Sequence, residues 1–207
     1  ATTSIAVFQD GNLVHADVIP IGGHHITRDL ASGLSTSIAH AERLKTLYGS
    51  ALASVWDDRE MITIPLLGER GATAGSEHGQ QVPRSMLTGI IRPRLEETLE
   101  MVRDRLAASP VARNAGRRVV LSGGASQLTG VREMAAQILE RNVRLGAPQG
   151  LPGLPDAART PAFAVAVGLL SYALKPDLKL VSVPQFGATA GRRNYLSRVG
   201  RWLKESF

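Results

Sequence analysis

With 207 residues, 43% of them hydrophobic, the chain can build one large domain or two small ones around a real core, which excludes disorder as the starting description. Cysteine is absent, so disulfides and thiolate chemistry are excluded, and a reducing, cytosolic compartment fits. The formal net charge of +6 is concentrated in residues 191–207, where Arg192, Arg193, Arg198, Arg201 and Lys204 stand against Glu205 alone. A nucleic-acid protein spreads its basic residues over a folded face with aromatics among them, so no nucleic-acid partner is expected here. Ala1-Thr2-Thr3-Ser4 shows no basic stretch leading into an apolar one, so no export signal is expected. The longest apolar stretch inside the fold, Ala162 to Leu170, is about half the ~20 residues that a spanning helix needs.

In chain order, Thr3 to Phe8 and Leu13 to Ile21 are apolar, β-branched runs separated by Gln9-Asp10-Gly11-Asn12. Asp-Gly supplies the positive φ of a tight turn, so the chain is expected to open with a β-hairpin. Gly22-Gly23 leads into a helical pattern through Ile26, Leu30 and Leu34, and a second helix carries Ile38, Ala41, Leu44, Lys45 and Tyr48. Met61 to Leu67 reads as a strand and Gly68 to Pro83 as an exposed loop. Ser85 to about Ala107 is the longest helix, with Leu87, Ile90, Ile91, Leu95, Leu99, Val102 and Leu106 on its apolar face and a kink expected at Pro93. Arg118 to Ser122 reads as a short strand, Gly123-Gly124 as a tight turn, and Leu128 to Arg141 and Thr160 to Tyr172 as helices. Residues 174–190 have little periodicity and read as a linker.

Two short motifs carry chemistry. Val119-Val120-Leu121-Ser122-Gly123-Gly124-Ala125-Ser126 is a strand running into a glycine pair, where the missing Cβ atoms let backbone approach a flat ring. Such a turn serves structure as readily as ligand binding. Glu42 and Lys45 are three apart and share a helix face. A carboxylate there accepts hydrogens from ribose hydroxyls and an ammonium donates to sugar or base; a solvated ion pair has the same spacing. His24-His25 points its rings about 100° apart on a helix, and without further ligands reads as two solvent-facing histidines.

Taken together, these elements resemble the actin, Hsp70 and FtsA superfamily, and more closely the FtsA family. The resemblance runs through Thr2-Thr3-Ser4-Ile5-Ala6-Val7-Phe8, Ile19-Pro20-Ile21-Gly22-Gly23 with Ile26-Thr27, Asp29-Leu30-Ala31, Ala41-Glu42-Arg43-Leu44-Lys45 and Arg92-Pro93-Arg94. It continues through Leu121-Ser122-Gly123-Gly124-Ala125, Arg144-Leu145-Gly146-Ala147-Pro148 and Ala164 to Leu170. It implies an α/β, actin/Hsp70-like (RNase H-like) subdomain IIA from residues 1–38 and 115–178, with an α/β subdomain IIB (39–114) inserted, a linker (179–190) and an amphipathic helix (191–207). It also implies ATP with Mg²⁺, bound through Thr2, Thr3, Gly22, Gly23, Glu42, Lys45, Gly123, Gly124 and Ala125. The family's second phosphate loop, Asp-x-Gly-Gly-Gly-Thr-Thr, would place its third glycine on Ala1, so the Asp-x-Gly-Gly portion would precede residue 1. No hydrolysis is expected from this chain by itself, since phosphoryl transfer rests on positioning and charge stabilisation.

The function implied is a cell-division protein that tethers the tubulin-like FtsZ ring to the cytoplasmic face of the inner membrane, scaffolds other division proteins and self-assembles into actin-like filaments. The resemblance places the acidic carboxy-terminal peptide of FtsZ on subdomain IIB, with Arg84, Arg92 and Arg94 as its basic partners; a solvated basic helix face is the plain alternative. Other readings are an actin-like ATPase adaptor of pilus or chaperone type binding a partner peptide, and a sugar kinase-type enzyme of the same superfamily.

The tail can be read directly. At ~100° per residue, Tyr195, Leu196, Val199, Trp202, Leu203 and Phe207 fall on one arc of roughly 140°, and Arg193, Arg198, Arg201 and Lys204 occupy the rest. Trp, Leu and Phe opposite Arg and Lys make an in-plane interfacial anchor for anionic lipids. A helix docked on its own domain is the alternative.

Overall fold

The computed structural model describes residues 1–65, 79–113, 115–149 and 151–174. The linker from residue 175 and the whole amphipathic tail therefore lie outside the described residues, as do residues 66–67 of the expected strand and 68–78 of the expected loop.

Strands β1 (Thr3–Gln9) and β2 (Asn12–Ile19) form the expected antiparallel hairpin, closed by Asp10 and Gly11 at φ 51° and 80°. Both central residues at positive φ match the right-handed twist of the flanking strands, which Gly11 adopts without steric cost. Ile5 and Val7 point inward while Ser4, Ala6 and Phe8 point outward, the period-two pattern of a strand covered on one face. Helices α1 (Gly23–Gly33) and α2 (Ile38–Tyr48) follow where the periodicity puts them. Ser37 caps α2 by accepting the His40 amide at 3.3 Å.

Strand β3 (Met61–Ile64) pairs antiparallel with β4 (Gln80–Pro83), so the end of the stretch expected as loop is a strand. Val82, the one buried residue of β4, is too little apolar signal to register as a period. Helix α3 (Arg84–Ala108) runs unbroken through Pro93, and a short helix α4 (Pro110–Arg113) follows. Strand β5 (Arg118–Leu121) pairs parallel with β6 (Asn142–Leu145), a strand that the sequence reading did not anticipate. Between them, the expected helix from Leu128 to Arg141 is shorter. A 3-10 turn (Gly124–Gln127) comes first, then α5 (Val131–Leu139), ended by Glu140 in the left-handed region at φ 52°. The last expected helix begins as a 3-10 turn (Pro161–Phe163) and becomes α6 (Ala164–Leu174).

Two cores hold these elements. The larger gathers Ile26 and Leu30 from α1, Leu44 from α2, Ile62 and Ile64 from β3, Leu87 and Ile91 from α3, and Met134 from α5. It thus draws on both segments of the expected subdomain division, with α3 packed against α1 and α5. The smaller core lies under the hairpin, where Ile5, Val7 and Ile19 meet Met101, Val102 and Leu106 of α3. Each buried side chain of this kind contributes about 1.5–3 kcal/mol. Helix α6 is apolar all round, yet only Val167 is buried, and Val165, Leu169, Leu170 and Leu174 are exposed. Among the described residues, β1 pairs only with β2 and β5 only with β6. The remaining edges of β1 and β5 border one open cleft.

Candidate functional site

The cleft is about 1640 Å³ and takes in Thr2, Thr3, Gly22, Gly23, Glu42, Lys45, Gly123, Gly124 and Ala125 together. The cleft lining thus includes all nine residues that the resemblance implies for a nucleotide. The volume exceeds the ~300–1,000 Å³ of an enclosed ligand pocket, so the site is an open cleft.

Close backbone approach explains the glycines. A Cβ on Gly22 would lie 2.8 Å from the Thr2 carbonyl oxygen, and one on Gly23 would lie 2.9 Å from the Cβ of Ala125. Helix α1 therefore starts against both the N-terminal segment and the β5 turn, and neither contact tolerates a side chain. Gly123 adopts φ 92°, where only glycine is unstrained, and the positions a Cβ would take on Gly123 and Gly124 meet nothing within 4 Å. That open space is what a flat ring requires. The turn is anchored from behind: the Gly123 amide donates to Pro161 O at 2.8 Å, Ser126 Oγ to Gly123 O at 2.7 Å, and Ser122 Oγ to Gly146 O at 3.0 Å.

The Thr3 side chain has a partner within the fold. Its hydroxyl donates to Ile21 O at 2.7 Å, tying β1 to the chain entering α1, so its hydrogen is already in use. Thr2 is exposed and meets Gly22 through its backbone. His25 is not simply solvent-facing: Gly22 N–H donates to His25 Nδ1 at 3.2 Å and closes the start of α1, while His24 is exposed. No cluster of three or more His, Asp or Glu residues that could hold a metal occurs among the described residues.

Glu42 and Lys45 are a network rather than a solvated pair. Lys45 is buried, its side chain 10% exposed, and its ammonium donates to Glu42 Oε2 at 2.7 Å, Thr27 Oγ1 at 2.9 Å and Gly23 O at 3.3 Å. Those three bonds use all three ammonium hydrogens. Thr27, fully buried, lies 2.5 Å from Glu42 Oε2 through its hydroxyl and 3.3 Å from Gly23 O. Burial pushes the Glu42 carboxyl up. Hydrogen bonds from Lys45 and Thr27, with the charges of Lys45 and His24, outweigh that and hold it below its ordinary range. Glu42 is therefore an anion at neutral pH, and half its side chain faces solvent at the cleft.

The three arginines are engaged with different carboxylates. Arg84 donates through Nη1 to Glu60 at 2.8 Å and through Nε to Tyr48 O at 3.2 Å, with the buried Asp57 carboxylate 3.8 Å away. Arg92 pairs with Glu96, one turn on, at 2.7 Å. Arg94 clamps α3 to α1 by donating to both oxygens of Asp29, at 2.5 and 3.2 Å, and also reaches Glu97 at 2.5 Å. The Asp29 hydrogen bond, set against a smaller desolvation penalty, raises the Arg94 pKa further. Every one of these arginines has an internal carboxylate partner, which charge counting along the sequence does not show. Sequence reading missed the roles of Asp29 and Thr27, although both stand in the stretches that carry the family resemblance; a second signal is their polarity among the buried Ile26, Leu30 and Ala31 of α1.

The architecture defines the class. The crystal structure of MreB5 of Spiroplasma citri bound to ADP superposes with a TM-score of 0.59 at 15% identity, over 84% of this chain and 51% of that one, so the fold is actin-like. The family model "Cell division protein FtsA" matches residues 1–168, and the chain belongs to the FtsA family. The Cell division protein FtsA of Agrobacterium fabrum is 51% identical over all of this chain and 46% of its own length. Those of Neisseria meningitidis and Escherichia coli K12 are 39% and 32% identical, each over 49% of its length. The chain thus spans about half the length of these curated relatives. Family membership sets aside the sugar-kinase, pilus and chaperone readings.

Proposed function

We propose that the protein is a peripheral tether and scaffold of the bacterial division ring, which binds ATP in the β5–α1–α2 cleft and assembles head to tail as actin-like protomers do. One observation carries the nucleotide reading: three separate motifs, Gly22-Gly23, Glu42 with Lys45, and Gly123-Gly124-Ala125, meet around one cleft with open space over the glycine turn. The likeness to a structure of MreB5 bound to ADP supports it. Glu42 offers its exposed carboxylate to the ribose hydroxyls, and the Gly123-Gly124 turn admits the base.

In this reading residues 1–38 and 115–178 form the nucleotide half and 39–114 the inserted subdomain, with α3 shared between their packing. The FtsZ carboxy-terminal peptide docks on the inserted subdomain. Arg92, half exposed and paired only one turn along its own helix, is the arginine most available to it, since such surface pairs contribute about 0–1 kcal/mol. Residues 191–207 anchor the protein to anionic lipid at the division site, joined by 179–190. Other division proteins bind the assembled scaffold. Head-to-tail contacts of identical protomers yield open filaments.

The test is Gly124→Val in the full-length protein, titrated with a fluorescent ATP analogue. A valine there fills the space over the turn while touching no protein atom through its Cβ, so affinity should fall at least tenfold with an unchanged circular dichroism spectrum. An affinity within about threefold of wild type would remove the base from this turn.

A further inference from the structure

The Thr27 hydroxyl lies between the two charged groups of the nucleoside site and has one hydrogen to give. Lys45 donates to Thr27 Oγ1 at 2.9 Å, which orients the hydroxyl so that its own hydrogen goes to the nearer acceptor, Glu42 Oε2 at 2.5 Å, rather than Gly23 O at 3.3 Å. Thr27 and Lys45 thus both donate to the same carboxylate oxygen, and Lys45 has no hydrogen left for a ligand. Glu42 Oε1 accepts no hydrogen bond from the described residues, and Glu42 borders the cleft. Two bonds fixing one oxygen determine the plane and direction of the other. A buried, branched threonine with a restricted χ1 holds its hydroxyl in place better than a flexible residue would.

We propose that Thr27 is a positioning residue for ribose recognition: with Lys45 committed inward, it fixes the Glu42 carboxylate so that Oε1 is presented to the ribose hydroxyls. This rests on the nucleotide reading of the cleft. Lys45 then acts by holding Glu42 and the Gly23 carbonyl, not by touching the sugar. Pre-ordered acceptors of this kind discriminate through hydroxyl groups, because a site built to bond a hydroxyl is left unpaired by an analogue that lacks it.

The readout is therefore discrimination between ATP and its 2′-deoxy and 3′-deoxy forms, measured by competition against a fluorescent ATP analogue on the full-length protein. Thr27→Val keeps the shape and removes the hydroxyl; it should lower ATP affinity about tenfold while leaving the affinity for the less favoured deoxy form within about twofold, so that the preference collapses. Thr27→Ser keeps the hydroxyl and should retain the preference. Should Thr27→Val fail to fold, Thr27→Ala, smaller than the native residue, carries the same expectation. Glu42→Gln separates the two levels of the argument. If Glu42→Gln abolishes the preference for ribose and Thr27→Val does not, or if Thr27→Val weakens ATP and both deoxy forms equally, the role given to Thr27 is wrong and the site stands. If Glu42→Gln leaves both affinity and preference unchanged, the nucleoside reading of α2 falls, and the role of Thr27 with it.

Discussion

Replacing Arg94 by alanine tests the α1–α3 clamp and has a size that the geometry sets. Arg94 gives two hydrogen bonds to one carboxylate, Asp29, from a helix packed against the helix that carries it. The two side chains are 29% and 31% exposed, so the pair is neither fully solvated nor buried. Exposed pairs contribute about 0.2–1 kcal/mol, and hydrogen bonds to charged groups about 1.5–3 kcal/mol. A bidentate pair at this depth belongs near 1–2 kcal/mol. For a chain of this length 1 kcal/mol moves Tm by about 2–4 °C, so Arg94→Ala should lower Tm by about 2–8 °C. Glu97 is the other partner of Arg94 and is left exposed, so its loss adds little. The assay is a double-mutant cycle of Arg94→Ala and Asp29→Asn by urea unfolding. A coupling energy of about 1 kcal/mol or more is expected, and one below about 0.3 kcal/mol would show that the clamp holds nothing. The cycle also bears on partner binding. Arg94→Glu places a carboxylate against Asp29, so any weakening of FtsZ-peptide binding by that variant must be corrected for lost stability, whereas Arg92→Glu opposes only Glu96 on its own exposed helix face, a cost of about 0.2–0.5 kcal/mol.

Gly22→Ala should lower Tm and weaken ATP-analogue binding together, because its Cβ would sit 2.8 Å from the Thr2 carbonyl oxygen and must push the N-terminal segment away from α1; loss of neither would mean that the contact is not kept in solution. Glu42 contributes stability that depends on pH. Its folded pKa lies below the unfolded value of about 4.3, so the contribution is complete above that value and disappears as pH falls through the folded pKa. The Tm difference between wild type and Glu42→Gln should be flat from pH 7 to about 5.5 and shrink below about pH 4; a difference that grows on acidification would reverse the sign. Trp202→Glu should release the protein from anionic vesicles more completely than Arg201→Ala, since it removes an interfacial aromatic and adds a repelled charge, while each basic group near the surface supplies about 1 kcal/mol. Co-sedimentation at one low protein concentration compares them, and a lowered core Tm with unchanged sedimentation would mean that the tail packs on the domain.

The hairpin, α1, α2 and α3 are legible in the chain because each announces itself by period: Ile5 and Val7 at two, Ile26 and Leu30 at four, and Leu87, Ile91, Leu95 and Leu99 at four. All four short strands are four residues long, but β3 and β5 carry apolar runs (Ile62 and Ile64; Val119-Val120-Leu121), whereas β4 (Gln80-Gln81-Val82-Pro83) and β6 (Asn142-Val143-Arg144-Leu145) are half polar and take their pairing from a partner that local sequence does not name. The same divide runs through the cleft. Glycines and the Glu42–Lys45 spacing can be read locally, whereas their meeting depends on tertiary contacts such as Gly22 on Thr2 and Gly23 on Ala125. Side-chain commitments were the least legible. Nothing in the sequence says that the Thr3 hydroxyl ties down Ile21, or that Asp29 occupies Arg94 across 65 residues.

Among the described residues the second edges of β1 and β5 are open, and this has a consequence in solution. An unpaired strand edge is a template for another strand, and proteins usually guard it with lysine, proline or an inward charge. Arg117 and Arg118 guard the start of β5, but Val119-Val120-Leu121 continues without a charge, and β1 offers Ser4, Ala6 and Phe8 with none at all. Gatekeeping is thus confined to one end of one strand. Wherever these edges are left uncovered, they are where the first intermolecular rungs would form.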